Sequence, residues 1–154
     1  MPDLDDIYSA RILELASAIS HNGRLPAPDA SATAHSKLCG SIVTVDLAME
    51  AGRVVDYGHV VKACLLGQSA CAIVAREITG STPAELRTVG AQMRAMLKSG
   101  GPPPAGRWAD LAVLEPVRTY KGRHASVLLV FDAVEAALAE IDAKARLPSE
   151  ATSR

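Results

Sequence analysis

Apolar residues near the start of the chain recur about every 3.6 positions, a spacing typical of one face of an amphipathic helix. Ile7, Ile12 and Leu15 belong to this pattern, which predicts a helix over residues 3–20. Acidic residues in the first turn favour a helix start at this position. Gly23 is expected to end the helix in the left-handed conformation.

Two β-rich runs follow, at residues 41–49 and 53–61, and a short link containing Gly52 joins them. Such a pair around a glycine-containing link is typical of a β-hairpin. Residues 24–34 contain two prolines and are expected to form an extended connection before it. A short strand within residues 33–38 is expected to complete a three-stranded antiparallel sheet.

Most of the remaining chain is predicted to be helical. A buried helix is predicted over residues 64–79, and a second helix is predicted to start at Ser81 or Thr82 with Pro83 in its first turn. A short helix around residues 93–97 is followed by a stiff loop at 100–104. The last predicted helices are a short one at 108–114 and a long one at 123–143. We therefore predict an α+β fold, in which a small three-stranded antiparallel sheet packs against several helices and a long C-terminal helix. Residues 1–146 are expected to form one domain, followed by a frayed tail at 147–154.

Composition and charge exclude several classes of function. The 154 residues contain 16 Lys and Arg against 17 Asp and Glu, and only 3% aromatics. This balance predicts no general attraction to nucleic acid or to anionic lipid, and few aromatic platforms for stacking bases. No apolar run approaches the roughly 20 residues of a membrane span, and the N-terminus is acidic where a signal peptide is basic. We expect a cytoplasmic protein that binds neither membranes nor nucleic acid.

The chain has three cysteines, too few for a disulfide framework, so buried thiols, metal ligands and a reactive thiol remain open. Cys39 and Gly40 lie at the entrance to the first long strand, and Cys64 begins a helix directly after the second. If the strands form a hairpin, both cysteines come to one edge of the sheet. Cys71 lies two turns further along the helix, about 10 Å away, and is predicted to be a core thiol.

Among the histidines, His35 and His124 are the candidates for metal ligation. His35 lies four residues before Cys39, and His124 begins the last predicted helix. A single histidine is more often structural than a ligand, so both assignments stay open. The chain has no phosphate-binding glycine loop, no CxxC and no recognisable hydrolase or metalloprotease motif.

Three segments resemble a known family in the order of the predicted elements. Residues 38–42 read Leu-Cys-Gly-Ser-Ile, residues 54–57 lead through Cys64 to Gly80, and residues 123–129 read Arg-His-Ala-Ser-Val-Leu-Leu. Over residues 5–142 the chain resembles the U-type iron–sulfur cluster assembly scaffolds, namely IscU, SufU and the N-terminal domain of NifU.

The resemblance implies a metal or cluster site with altered ligands. In the family, three cysteines and one aspartate bind zinc or hold a nascent cluster. Here Cys39 and Cys64 match two of the cysteines, whereas Ser41 stands for the aspartate and Ser126 for the third cysteine. A serine hydroxyl stays protonated near neutral pH and is a poor metal ligand beside a thiolate. Completion of the set by an imidazole of His124 or His35 is a hypothesis.

The function expected from the resemblance is an iron–sulfur cluster scaffold or carrier that binds iron and sulfide through Cys39 and Cys64, with Ser126 and His124 lining the site. The cofactor is then a transient iron–sulfur cluster, zinc or none. The expected partners are a cysteine desulfurase and apo iron–sulfur proteins, and the chain itself a monomer or homodimer without turnover of its own. The chaperone motif Leu-Pro-Pro-Val-Lys of the family is not recognisable at residues 117–121.

Three alternatives remain open. The first is an adaptor of the same fold that binds a desulfurase or a sister scaffold without metal. The second is a zinc-dependent sulfurtransferase of the SufU type, which accepts sulfur on a cysteine. The third is a plain globular domain whose thiols are buried.

Overall fold

The structure is a computed structural model that describes residues 9–145. Its elements, in chain order, are α1 (Ala10–Ser17), β1 (Ala30–His35), β2 (Ile42–Glu50), β3 (Arg53–Lys62), α2 (Leu65–Glu77), α3 (Pro83–Ser99), the 3₁₀ segments Gly106–Thr119 and Lys121–Arg123, and α4 (His124–Ala145). The predicted α+β class is confirmed, with one sheet and a long C-terminal helix. Positions 3–8 of the first predicted helix and the predicted tail at 147–154 lie outside the described residues.

The three strands form an antiparallel sheet in the order β1-β2-β3. Alternate residues of β2, among them Val43, Val45 and Leu47, are buried and define the face covered by helices. The strand predicted within 33–38 begins earlier, at Ala30, and ends at His35, and all six of its residues pair with residues 42–47 of β2. Strands β2 and β3 are joined by a two-residue turn at Ala51 and Gly52 with φ of 54° and 77°. Positive φ at both positions is typical of a type I′ turn.

The first helix ends earlier than the sequence predicts. Helix α1 begins after Ser9, whose Oγ accepts a hydrogen bond from the Ile12 N–H, and it ends at Ser17. Gly23 is not its cap, as predicted, but donates its N–H to the carbonyl of His59 in β3. The chain therefore leaves the helix early in order to pair with the sheet.

Helix α3 starts as predicted and continues further. Thr82 caps it by accepting a hydrogen bond from the Glu85 N–H, and Pro83 occupies the first turn. The separate short helix predicted around residues 93–97 is wrong, because one helix of 17 residues runs to the left-handed Gly100. Each of its large buried side chains lies three or four positions from another, so that they form one continuous stripe: Leu86, Val89, Met93, Met96 and Leu97.

The segment predicted as a short helix at 108–114 is a longer succession of 3₁₀ turns. Its buried apolar residues recur every third position: Trp108, Leu111, Leu114 and Val117. A 3₁₀ helix has three residues per turn, so this spacing places all four side chains on one face. The spacing of three is the sequence signal that distinguishes this segment from an α-helix.

Helix α4 is the central element of the core. It packs against β1, β2, α2 and α3, and most of its first fifteen residues are buried. Its first turn therefore lies among the ends of other elements, close to the β1–β2 loop. Across residues 9–145, no helix is both long and apolar enough to span a membrane.

Candidate thiol site

Cys39 lies at the tip of the six-residue loop that joins β1 to β2. The Ser36 N–H donates to the Ser41 carbonyl at 2.9 Å, and the Gly40 N–H donates to the Ser36 carbonyl at 2.8 Å. Gly40 has φ of 75°, a conformation that residues with a Cβ rarely adopt. These two hydrogen bonds and the left-handed glycine hold the Cys39 backbone in one tight turn.

Three serine hydroxyls surround the exposed thiol of Cys39. Its Sγ lies 3.1 Å from Ser126 Oγ, 3.0 Å from Ser41 Oγ and 3.4 Å from Ser36 Oγ. All three serines are buried. Hydrogen bonding with Ser126, Ser36 and Ser41 lowers the pKa of Cys39 to about 6, against the opposing effect of burial. An accessible thiolate at neutral pH is the form of cysteine that attacks electrophiles and binds metals.

Helices α2 and α4 approach each other closely at Ser126, the residue whose side chain also contacts Cys39. A methyl group added at Gly67 in α2 would lie 3.1 Å from the Ser126 carbonyl oxygen and 2.9 Å from the Ala63 Cβ. Only glycine therefore allows this contact without movement of the backbone. Gly67 is three residues after Cys64, so the same contact brings the start of α2 beside the first turn of α4.

Cys39 and Cys64 line one cavity of about 410 Å³ at the edge of the sheet. The cavity is also lined by Lys62 at the end of β3, by Ala63 directly after it and by Gln68 of α2. Cys64 is the N-cap residue of α2, half-buried, and its side chain makes no capping hydrogen bond. The hairpin thus brings two thiols to the same cavity, beside the serine at the start of the last helix.

The third cysteine lies apart from this cavity. Cys71 is 1% exposed in the core cluster, and burial raises the pKa of its thiol to about 12. It therefore stays protonated and inaccessible, as predicted for a core thiol.

His35 ends β1 and is exposed, next to Ala34, which packs against the core. Because strand residues alternate between faces, His35 lies on the opposite face of the sheet from the helices.

His124 does not share the cavity of the two cysteines. It is buried, and its Nε2 lies 2.9 Å from the Arg118 carbonyl oxygen and 3.2 Å from that of Val117. Its ring lines a separate cavity of about 220 Å³ together with Lys98 and Lys121. Two positions on an α-helix differ by about 200° around the axis, so His124 and Ser126 lie on opposite sides of α4.

The donor set at the thiol cavity does not fit a resident zinc ion. Among the described positions, no cluster of three or more His, Cys, Asp or Glu side chains could hold a metal. Ser41 and Ser126 place neutral hydroxyls on Cys39, where the resemblance calls for a carboxylate and a thiolate. A structural zinc site takes four ligands, and this cavity offers two thiols.

Comparison with solved structures identifies the family. The N-terminal part of a nitrogen-fixing NifU-like protein from Brucella abortus is 53% identical, with a TM-score of 0.90 over 92% of this chain and 98% of that one. The chain belongs to the NifU-like family. No family model and no curated protein matches it.

Two more distant structures share the fold of this NifU-like chain. One is a candidate iron–sulfur cluster assembly scaffold protein for the SUF system, from Fervidobacterium islandicum. It is 20% identical, with a TM-score of 0.80 over 88% of this chain and 99% of that one. The other is a hypothetical protein that is 15% identical, with a TM-score of 0.77 over 88% and 99% of the two chains. The predicted family resemblance is confirmed.

Several residues of the site were missed from the sequence, among them Ser36 beside the Cys39 thiol and Lys62 and Gln68 on the cavity lining. Ser36 contacts Cys39 only because the β1–β2 loop closes between residues 36 and 41. The first strand was predicted within residues 33–38 and lies at 30–35, so the prediction did not separate Ser36 from the strand. The sequence signal for this loop is Gly40, four positions after Ser36, because glycine readily adopts the left-handed conformation that closes the turn.

Proposed function

We propose that this NifU-like protein is an iron–sulfur cluster assembly scaffold that receives sulfur on Cys39 and holds iron and sulfide between Cys39 and Cys64. The observation that supports it is the Cys39 thiol, within 3.4 Å of three serine hydroxyls, on a cavity shared with a second cysteine. Serines at positions 41 and 126 make Cys39 a better nucleophile, but they stand where the family has two of its four metal ligands. Sulfur acceptance is therefore favoured over storage of a metal ion.

Sulfur arrives from a cysteine desulfurase as a persulfide. The Cys39 thiolate attacks the outer sulfur of the desulfurase persulfide, a new S–S bond forms at Cys39, and the desulfurase cysteine leaves as a thiolate. The low pKa of Cys39 keeps it deprotonated at neutral pH without a separate base. Lys62, on the same cavity as the Cys39 thiolate, adds positive charge that favours the anionic form of sulfur there.

Iron and sulfide are the cargo of this site. Thiolates are the usual protein ligands of iron–sulfur clusters, and a [2Fe–2S] cluster takes four of them. One chain supplies two from this cavity, so a complete cluster is shared by two chains. His124 has no part in this proposal, because its Nε2 contacts two backbone carbonyls.

Exposed apolar side chains adjoin both cysteines of the cavity in sequence. Each of the two cysteines has an exposed leucine as its neighbour in sequence: Leu38 is 78% exposed and Leu65 is 37% exposed. We infer that these side chains contact the protein that donates sulfur, because a protein partner would remove their apolar surface from water. We assign the desulfurase to this surface.

The test is transfer of sulfur from a cysteine desulfurase supplied with cysteine, followed by mapping of added sulfur to individual cysteines by mass spectrometry. Anaerobic addition of ferrous iron then gives the visible absorption of a cluster. We expect sulfur on Cys39 in the wild type and in Leu13→Ser, whose exposed leucine lies on α1 away from the cavity. We expect reduced transfer in Leu38→Ser.

Two outcomes reject the proposal. Absence of sulfur on Cys39, with a complex that survives replacement of both Cys39 and Cys64 by serine, would favour a metal-free adaptor. Sulfur transfer that depends on added zinc would favour the zinc-dependent sulfurtransferase.

A further inference from the structure

Cluster assembly needs sulfide. The outer sulfur of a persulfide is more oxidised than sulfide by two electrons. The electrons must come from a reductant, and two further thiols in this chain, Cys64 and Cys71, could supply them. Cys71 is buried in the core, away from the cavity. We infer that Cys64 is a resolving thiol, which discharges the Cys39 persulfide as sulfide and forms a Cys39–Cys64 disulfide. This inference rests on the proposed function, because it begins with sulfur on Cys39.

The arrangement of the strands brings the segments that carry the two cysteines to the same end of the hairpin. Ile42 of β2 pairs with Lys62 of β3, and the same antiparallel register continued by two residues would place Gly40 opposite Cys64. Both thiols line the same cavity, and its volume of about 410 Å³ accommodates an added sulfur atom.

Ser126 connects helix α2, which begins directly after Cys64, to Cys39. Gly67 packs on the Ser126 carbonyl, and the Ser126 hydroxyl lies 3.1 Å from Cys39 Sγ. Helix α2, with Cys64 before its first residue, is thereby connected to Cys39 through a single residue. The Cys64 side chain makes no capping hydrogen bond that would hold it away from the cavity.

The step balances in atoms and electrons. Cys64 sulfur attacks the inner sulfur of the Cys39 persulfide, the Cys39–Cys64 bond forms, and the S–S bond of the persulfide breaks. The outer sulfur leaves as hydrosulfide and takes up both electrons, and the Cys64 thiol proton leaves with it. Each cysteine sulfur is oxidised by one electron. A dithiol reductant restores the two thiols for the next cycle.

Loading with cysteine persulfide, followed by removal of the donor, tests this step. The measurements are free sulfide and the mass of the alkylated protein at successive times, in the wild type, Cys64→Ser and Cys71→Ala. We expect the wild type and Cys71→Ala to release sulfide and to form a disulfide between Cys39 and Cys64. In Cys64→Ser the sulfur should stay on Cys39, with release slowed roughly tenfold or more.

Serine is a good N-cap residue, so Cys64→Ser is expected to fold, and Cys64→Ala provides an independent second variant. Equal sulfide release from the wild type and both variants would overturn the inference while leaving the proposed function intact. Sulfur found on Cys64 without sulfide release would also overturn it, since Cys64 would then relay sulfur. Failure of Cys39 to accept sulfur in Cys64→Ser would reject the proposed function, and this inference with it.

Discussion

Ser126 Oγ lies 3.1 Å from Cys39 Sγ, although 87 positions separate the two residues in the chain. The contact joins the β1–β2 loop to the first turn of α4, and it supplies the largest lowering of the Cys39 pKa. A residue that the family resemblance marks as a lost metal ligand is therefore part of the environment of a nucleophile. Its hydroxyl stabilises the thiolate, where a thiolate of its own would repel it.

Restoring the family ligands should restore a metal site. In Ser41→Asp/Ser126→Cys, a carboxylate and a third thiolate would stand beside Cys39, and with Cys64 they complete a set of four. We expect this variant to bind zinc at least about a hundredfold more tightly than the wild type, by competition with a chromophoric chelator. Adding Cys64→Ser should reverse the gain. Equal zinc affinity of the wild type and the double variant would contradict this view of the donor set.

Gly67 should be intolerant of any side chain. Gly67→Ala places a methyl group 3.1 Å from the Ser126 carbonyl and 2.9 Å from the Ala63 Cβ. We expect a loss of about 1–3 kcal/mol in the free energy of unfolding by denaturant titration, together with slower alkylation of Cys39, since α2 must move away from α4.

Gly122 offers a matched control for this substitution, near the same helix end. A methyl group there would meet nothing within 4 Å. Gly122→Ala should change the unfolding free energy by no more than about 0.5 kcal/mol. Equal effects of the two substitutions would show that the α2–α4 contact is not close.

How much of the fold and of the site could be predicted from the sequence depends on how far apart in the chain the interacting residues lie. The β2–β3 hairpin and the cap of α3 follow from local patterns, because Gly52, Thr82 and Pro83 act within a few residues of themselves. The end of α1 and the start of β1 depend on pairing with strands far along the chain, so periodicity alone misplaced both. The cysteines could be assigned to one sheet edge from topology, but the serine hydroxyls and the separation of His124 required side-chain positions.

The type I′ turn between β2 and β3 contains a residue that suits it poorly. Ala51 has φ of 54°, and alanine in the left-handed region is strained. Ala51→Asn should stabilise the protein by about 0.4–1 kcal/mol, since asparagine followed by glycine is favoured in this turn. Thermal unfolding would measure it. A lower unfolding temperature for Ala51→Asn, with Ala51→Val no worse, would contradict the assigned turn.

Asp46 should link stability to pH. Its carboxylate is fully buried, and it accepts hydrogen bonds from the Arg24 guanidinium, the Ser31 hydroxyl and the Leu25 N–H. Burial opposes ionisation, but these partners outweigh it and hold the pKa of Asp46 below its usual range. The stabilisation is present above the unfolded pKa of about 4 and is lost as pH falls through the lower folded value.

Asp46→Asn should therefore cost about 1–2 kcal/mol at neutral pH, less than for a fully buried pair because Arg24 is half-exposed. The difference from the wild type should shrink below about pH 4. The half-buried Asp110, paired with Arg11 and Arg76, is the control, and Asp110→Asn should cost less than about 1 kcal/mol. A difference between Asp46→Asn and the wild type that does not depend on pH would contradict the assigned linkage.

The most direct test of the central claim is the rate of Cys39 alkylation by iodoacetamide as a function of pH, followed by mass spectrometry of the Cys39 peptide. We predict a midpoint near pH 6 in the wild type and in Ser17→Ala, whose hydroxyl lies on α1 and donates to the Leu13 carbonyl. In Ser126→Ala the midpoint should move up towards the ordinary cysteine value, because the thiolate loses its strongest hydrogen bond. A wild-type midpoint above pH 8, unchanged by Ser126→Ala, would contradict the serine-stabilised thiolate on which sulfur acceptance depends.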